Sequence, residues 1–422
     1  MASNRGLLFI AAWVLLLGVP GWAAQNSPAQ DVLQDTQVQD SPAQDLQAPD
    51  SPMQDSQTQD MQRQDSQSQD MQSQNMEAQD SQEQNTYRNA PQRSSVPVSR
   101  SHDNHAARVA KTDPNKPVPR DALANPVLWQ QPEDISRKDL FYGQGGAHRQ
   151  PRPPFTFIRE ETVGHSPKFD CRDANNKKWR VKLGDESRPE VVASRLMWAI
   201  GYFVNDDYVL PRAEIRGLKI ERGKHRGTTV FDARFARKPG SEEKIGIWRW
   251  KENPFFGTRE FNGLRVMMAV LNNWDLRDAN NAVHEDRNHQ QLFLVSDLGA
   301  SFGTNTIKFP VSGSKGDVGS YERSKFVVRN DGMAVDFATP APPTNVLVRS
   351  MGFAAMAYVE HQKMDWIGKN IPAPDAHWIG TLLGQLSHQQ LVDAFRAGNF
   401  PPEEIESYVT VLEDRIRELQ QI

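Results

Sequence analysis

Three side chains frame the chemistry open to this sequence: Asp275, Asn280 and Asp297. An Asp, an Asn five positions later, and then Asp297-Leu298-Gly299 just past the strand-like run Leu292-Phe293-Leu294-Val295 is the layout of a phosphoryl-transfer loop. That reaction needs a carboxylate beside the attacking hydroxyl and oxygen ligands that hold Mg2+ on nucleotide phosphates. Asp275 suits the first task as the catalytic residue. Asn280 and Asp297 suit the second, because magnesium takes hard oxygen donors and usually only one or two carboxylates. A polyphosphate also needs a cation. Lys182 stands between Val181 and Leu183 in a strand-like run, so it points to the opposite face from both. A lone strand lysine is ordinarily solvated; the later acidic loop is what gives this one a candidate role. Glu190, in the first turn of a helix beginning near Ser187, either steadies Lys182 or only suits the helix terminus, and the sequence leaves the two readings level.

The elements that would position these groups can be read from period and punctuation. Residues 155–183 hold three strand-like runs, separated by Gly164-His165-Ser166-Pro167 and by the turn Asp173-Ala174-Asn175-Asn176. The first joint would bring backbone N–H groups over phosphates, since glycine tolerates close approach. Ser187-Arg188-Pro189-Glu190 opens a helix whose apolar stripe runs to Gly201. More strand-like sequence follows over 208–210, 213–217 and 228–235, and Trp248 and Trp250 are expected to flank a hinge. Beyond Pro254 the period turns helical: 261–271 is apolar nearly all round, as a buried helix should be. Residues 304–343 are punctuated by glycine and proline and too long for a simple connector, which suggests a cover or substrate-receiving segment. Helices are expected over 345–360, 377–386, from Ser387 onward, and over 402–419. Gly143, Gly145 and Gly146 look like a phosphate loop, but no strand precedes them and no helix-forming run follows, so a plain turn is expected.

The N-terminal quarter reads differently. Residues 1–24 have the form of a secretory signal: Arg5, an apolar run over 7–19 too short to span a bilayer comfortably, then Gly21-Trp22-Ala23. No transmembrane span is expected after cleavage, and the protein is expected to be exported to the periplasm, envelope or medium. Residues 25–121 are expected to form a disordered acidic tether and basic linker. Asp35, Asp40, Asp45, Asp50, Asp55, Asp60, Asp65, Asp70 and Asp80 keep a five-residue register with almost no large aliphatic between them. Five matches neither the helix nor the strand period, so no face can be buried. The whole chain carries −4, residues 26–90 carry −10 and Arg5 alone is charged upstream, which leaves +5 on residues 91–422. A mildly basic folded part is in keeping with a polyanionic ligand. No dense Lys/Arg stripe or reader motif points to nucleic acid. Cys171 is the only cysteine, so an intrachain disulfide and a Cys-based zinc site are both excluded.

Taken together, the motifs resemble an atypical kinase family that includes the bacterial HipA kinases and the phosphatidylinositol 3- and 4-kinases. The similarity spans roughly residues 155–303. The family's short Gly-x-x-x-Lys turn is similar to Gly164-His165-Ser166-Pro167-Lys168, its nucleotide-holding lysine falls on Lys182, its Asp-x-x-x-x-Asn loop on Asp275 and Asn280, and its metal-binding Asp on Asp297. The resemblance implies an α+β, bilobal kinase-like fold, with a sheet-rich N-lobe over 122–250 and a helical C-lobe over 251–422. It also implies ATP and Mg2+ as cofactors, and Gly164, His165, Ser166, Lys168, Lys182 and Glu190 as nucleotide-binding residues. The sequence departs from the family's patterns in several places. Trp274 and Asn273 precede the catalytic Asp where ordinary protein kinases have Arg and His, the Asp-Arg-His start of the lipid-kinase loop is absent, and the step from Lys182 to Glu190 is short. The departures leave the metal-binding minimum intact and the acceptor class open.

The expected activity is therefore phosphoryl transfer from ATP to a hydroxyl on a protein, a lipid or a sugar. A pseudokinase serving as an envelope interaction module is the alternative: ATP is scarce outside the cytoplasm, whereas a pure binding module has no need of all four polar residues. Nucleotidyl transfer with ATP bound in reverse also fits the same residues. A hydrolase would need more than His284, Asp286 and His289, which read as an exposed polar turn, and no nucleophile elbow or His-Glu-x-x-His is present.

Overall fold

The computed structural model describes residues 113–162, 166–220, 227–237, 242–273, 275–303, 316–338 and 363–422. The signal segment, the acidic tether, Gly164, His165, Trp274 and the helix expected over 345–360 lie outside the described residues. The chain divides into residues 1–97 and 98–422, and all described residues belong to the second unit. Its architecture is α+β.

The first strand, β1 (Pro126–Val127), is followed by tight turns and then by five strands whose alternating residues leave one apolar face. These are β2 (Phe155–Glu161), β3 (Lys168–Arg172), β4 (Lys178–Lys182), β5 (Asp207–Arg216) and β6 (Thr229–Arg237), with helix α1 (Ser187–Ala199) between β4 and β5. They close into a barrel in the order β2-β3-β4-β6-β5, the last seam being a short parallel pairing of Phe155 with Ile215. Closure removes exposed edges and encloses a small core that includes Phe155, Phe169, Cys171, Trp179, Val181, Tyr208 and Phe235. The two runs expected around Pro211 are one strand, because Arg212 and Leu210 pair with Phe231 and Ala233 of β6 on either side of the proline.

A second sheet takes the order β1-β9-β8-β7, built from β7 (Glu243–Gly246), β8 (Asn281–Glu285) and β9 (Gln291–Val295). β8 and β9 are the hairpin arms that lead from Asn280 to Asp297. Two strands inside 122–250 thus pair with the hairpin that carries the acidic loop. Trp248 and Trp250, expected to flank a hinge, are packed into the larger core. They are 3% and 1% exposed, with ring centroids 4.8 Å apart, and the Trp248 indole N–H donates to the Leu294 carbonyl at 2.9 Å. The pairing of β7 with β8 draws this stretch into the larger core.

That larger core is helical. α2 (Arg259–Val270) is buried along nearly its whole length, as its all-round apolar sequence requires. After α3 (Val318–Arg323), β10 (Val327–Asn330) and β11 (Ala334–Phe337) form a three-stranded sheet with β12 (Ile371–Pro372). The described part of the segment expected to cover a site is therefore a helix and a hairpin packed on the core through Tyr321, Val335 and Phe337. α4 (Ala373–Leu383), α5 (His388–Ala397) and α6 (Pro402–Gln420) complete the chain. Among the described residues no helix is long and apolar enough to cross a membrane.

Candidate active site

The acidic loop is set by the end of α2. Arg265 holds the helix in place by donating to the carbonyls of Ile367 (2.9 Å) and Trp366 (3.0 Å) and to Asn262 Oδ1 (2.7 Å). At the C-terminus, Arg415 of α6 donates to the carbonyls of Ala269 (2.9 Å) and Val270 (3.0 Å), a cation where the helix dipole favours one. Asn272 then turns into the left-handed region, φ 54°, which asparagine tolerates better than most residues. The chain leaves the helix there, and the Asn273 side chain accepts the Asp275 N–H at 3.0 Å.

From Asp275 the loop is tied to Asp297 by its own asparagine. Asn280 Nδ2 donates to the Asp275 carbonyl at 2.8 Å, while the Asn280 carbonyl accepts the N–H groups of Ser296 (2.7 Å) and Asp297 (3.2 Å). The Asp275 carboxylate meets Arg277 side-on, with Nε and Nη2 each 2.6 Å from an oxygen. Arg277 is half-exposed, so the pair lies at the solvent boundary.

Lys182, the last residue of β4, reaches the same place from the barrel. Its ammonium lies 2.9 Å from Glu186, 3.0 Å from Glu190 and 3.1 Å from Asp297, which is 115 positions away in the chain. The lysine is 1% exposed. Strand register explains the concentration of carboxylates. Lys168 stands opposite Lys182 across β3–β4, and Arg234 stands opposite Lys182 across β4–β6, so three cations share one face. Like charges directly opposite each other repel, and the acids around Lys182 offset that repulsion. Burial pulls the Lys182 ammonium down, but Glu190, Asp297 and Glu186 together hold it above its ordinary value. Burial pushes the Asp297 carboxyl up, and Lys182, Lys168 and Arg234 outweigh it, holding Asp297 well below the usual carboxylate range. Glu190 goes the other way: burial raises it against the pull of Arg234 and Lys182. Lys168 is lowered, by burial first and then by the Lys182 charge.

Of the residues singled out from the sequence, Lys182, Glu190, Asp275, Asn280 and Asp297 are thus brought together, each joined to the next by a contact of 3.2 Å or less. Ser166 is joined through Glu186, whose Oε2 accepts its hydroxyl at 3.0 Å. Lys168 lies on the same face, and Gly164 and His165 fall outside the described residues. Glu186, Arg234 and Arg415 were not legible as site residues. The only sequence signal for Arg234 is a charge flanked by Ala233 and Phe235 in a strand. Asp297 and Asn280 offer donor types that magnesium takes, a carboxylate and an amide oxygen. Among the described residues no group of three or more His, Cys, Asp or Glu side chains is arranged to hold a metal. His284 and His289 turn instead to Glu242 (3.5 Å) and Glu285 (2.9 Å), and Asp286 accepts the backbone N–H groups of Asn288 and Gln290, as a polar turn does.

No protein-family model matches the sequence. No curated protein matches it either. Among solved structures the chain is similar to the Helicobacter pylori proinflammatory kinase CtkA, at 11% sequence identity and a TM-score of 0.33, over 64% of this chain and 98% of that one. The chain thus has a kinase among its distant structural neighbours.

Proposed function

We propose that the chain is an exported, ATP- and Mg2+-dependent phosphotransferase of bilobal, kinase-like build that passes a phosphoryl group to a hydroxyl on a protein, lipid or sugar. The observation that carries this reading is the meeting of a barrel lysine with Asp297, Asn280 and Asp275, groups drawn from distant stretches of the chain. Lys182 binds the phosphates and is kept charged by Glu190. Lys168 adds a second cation beside the phosphates, and Gly164, His165 and Ser166 are assigned to the same role from the sequence. Asp297, ionised at any physiological pH by its cationic neighbours, and the side-chain oxygen of Asn280 hold the metal. Magnesium bound there supplies charge neutralisation at the transferring phosphoryl group. Asp275 takes the acceptor hydroxyl's proton once Arg277 swings toward solvent. Residues 1–24 direct export, 25–121 tether the domain, and 122–250 and 251–422 supply the two lobes, with β1 and β7 of the first stretch paired into the sheet of the second.

A pseudokinase is the second reading, favoured by one feature: both Asp275 oxygens are occupied by Arg277. Thermal denaturation of the full chain with ATP and Mg2+ tests nucleotide binding. The expected result is a metal-dependent rise in melting temperature that Asp297→Ala abolishes; no rise in the parent sinks both nucleotide readings. Transfer of label from γ-labelled ATP then separates them. Asp275→Ala is expected to lower transfer by roughly 10²–10⁴-fold, the usual contribution of a positioned base. Binding without transfer selects the pseudokinase. Transfer from α-labelled ATP but not from γ-labelled ATP selects nucleotidyl transfer.

A further inference from the structure

The Lys182–Glu190 pair has a third member that no part of the proposed reaction requires. Glu190 spends one oxygen, Oε2, on Lys182 at 3.0 Å, and the other, Oε1, on Arg234 Nη1 at 2.7 Å. Arg234 is itself held from behind. Its Nη1 lies 3.5 Å from Asp207 Oδ2, and Arg195 donates to the Asp207 carbonyl at 2.7 Å and lies 3.5 Å from its carboxylate. The Arg195 guanidinium in turn occupies the space beside Gly143, where an added Cβ would stand 2.4 Å from it. Glu190, Arg234, Asp207 and Arg195 are 2%, 6%, 0% and 2% exposed.

A buried alternation of acid and base four residues long is a poor source of stability, since well-packed apolar residues commonly do as well or better. What it does supply is geometry. Lys182 and Arg234 face each other across β4 and β6, so the carboxylate between them is pulled from both sides and has one resting orientation. With Arg234 absent, both Glu190 oxygens would turn to Lys182 and draw its ammonium away from Asp297.

We propose that Arg234 is a positioning residue: by fixing the second oxygen of Glu190 it holds the Lys182 ammonium at the Asp297 side of the site, where phosphates bind, with Asp207 and Arg195 holding Arg234 in its turn. The role rests on the phosphotransferase reading above. Arg234 touches neither nucleotide nor acceptor. It also faces charges from every element around Glu190: Lys168 on β3, Lys182 on β4, Asp207 on β5 and Asp297 after β9.

Calorimetric titration of the full chain with Mg-ATP tests this, with the melting temperature of each variant recorded alongside. Arg234→Met is expected to weaken binding about tenfold, the size of a coupling between contacting charged groups. Arg234→Lys keeps the charge but loses the guanidinium whose Nη1 lies near both carboxylates, and is expected to weaken binding about threefold. In a Glu190→Gln background neither change should weaken binding by more than about twofold, because the oxygen to be fixed no longer carries charge. Should Arg234→Met not fold, the Arg234→Lys cycle with Glu190→Gln gives the same comparison. Unchanged affinity with a lowered melting temperature, or losses that simply add in the double variant, would show a structural residue and overturn the proposal. No binding by the parent would instead overturn the phosphotransferase reading, and the positioning role with it.

Discussion

At Gly299 the missing side chain is what lets Asp297 and Lys182 meet. A Cβ built there would stand 2.7 Å from the Glu186 Cβ and 3.2 Å from the Lys182 ammonium, so the short segment after β9 can lie against the lysine only without it. Gly299→Ala is expected to cost about 1–3 kcal/mol, as overpacking of a filled site does. It should also weaken any Mg-ATP stabilisation, because Glu186, which must move, is ion-paired at 2.9 Å to Lys182, the residue proposed to bind phosphate. Denaturant melts with and without nucleotide check both effects; full retention of the ligand effect would show the segment to be slack. At this scale the sequence was informative where residue type alone carries chemistry. Asp275, Asn280 and Asp297 stand out as candidates by order and spacing, and Lys182 by its place ahead of that acidic loop. Glu186 and Arg234 did not, because each matters through a neighbour that only strand register and barrel closure bring near.

Among the elements, α5 and α6 show how local signals and long-range pairing combine. Ser387 and Gln390 form a capping box that starts α5, a signature written in four adjacent residues. His388, in the first turn, then reaches Glu413 at 2.9 Å and Glu406 at 3.4 Å on α6. The hydrogen bond to Glu413, with the charges of both acids, raises the imidazole above its ordinary value. A raised histidine stabilises the fold fully below its unfolded value near 6.5 and loses that contribution as pH rises through the folded value. His388→Gln is therefore expected to lower the melting temperature at pH 5.5 and to match the parent at pH 9. An equal deficit at both would assign the loss to packing. The helices were the most legible elements, since proline at the first turn of α1 and the apolar run of α2 are short-range signals. The sheets were less so. The parallel seam of β2 with β5 joins residues 60 positions apart, and the two-residue β1 reaches across the chain to β9; neither leaves a mark in local composition. Nor did Trp248 and Trp250, whose type is equally at home beside a hinge or inside a core.

For the molecule as a whole, Phe302 connects the acidic loop to the helical core. It is fully buried, lies at φ 60°, donates its N–H to the Leu271 carbonyl at 2.8 Å, and packs its ring on Tyr321, Phe395 and Tyr408. Phe302→Ala is expected to lower global stability by roughly 3–5 kcal/mol, the usual cost of emptying a large aromatic site. Near-ultraviolet dichroism and nucleotide binding should then be lost in one transition, since the ring fastens the end of α2 and the segment after Asp297 to the same core. Separate transitions would mean that the loop is held by its hydrogen bonds alone.

The barrel carries its own reporter of opening. Cys171, in the wall of β3, is fully enclosed, and burial, helped by Asp170 and Asp173, pushes its thiol up to about 12. Only the thiolate attacks an alkylating reagent readily, and in the closed barrel the sulfur is both shielded and protonated. Modification of the untouched protein by such a reagent would then proceed only as fast as these strands come apart, and Mg-ATP seated on Lys182 would slow it.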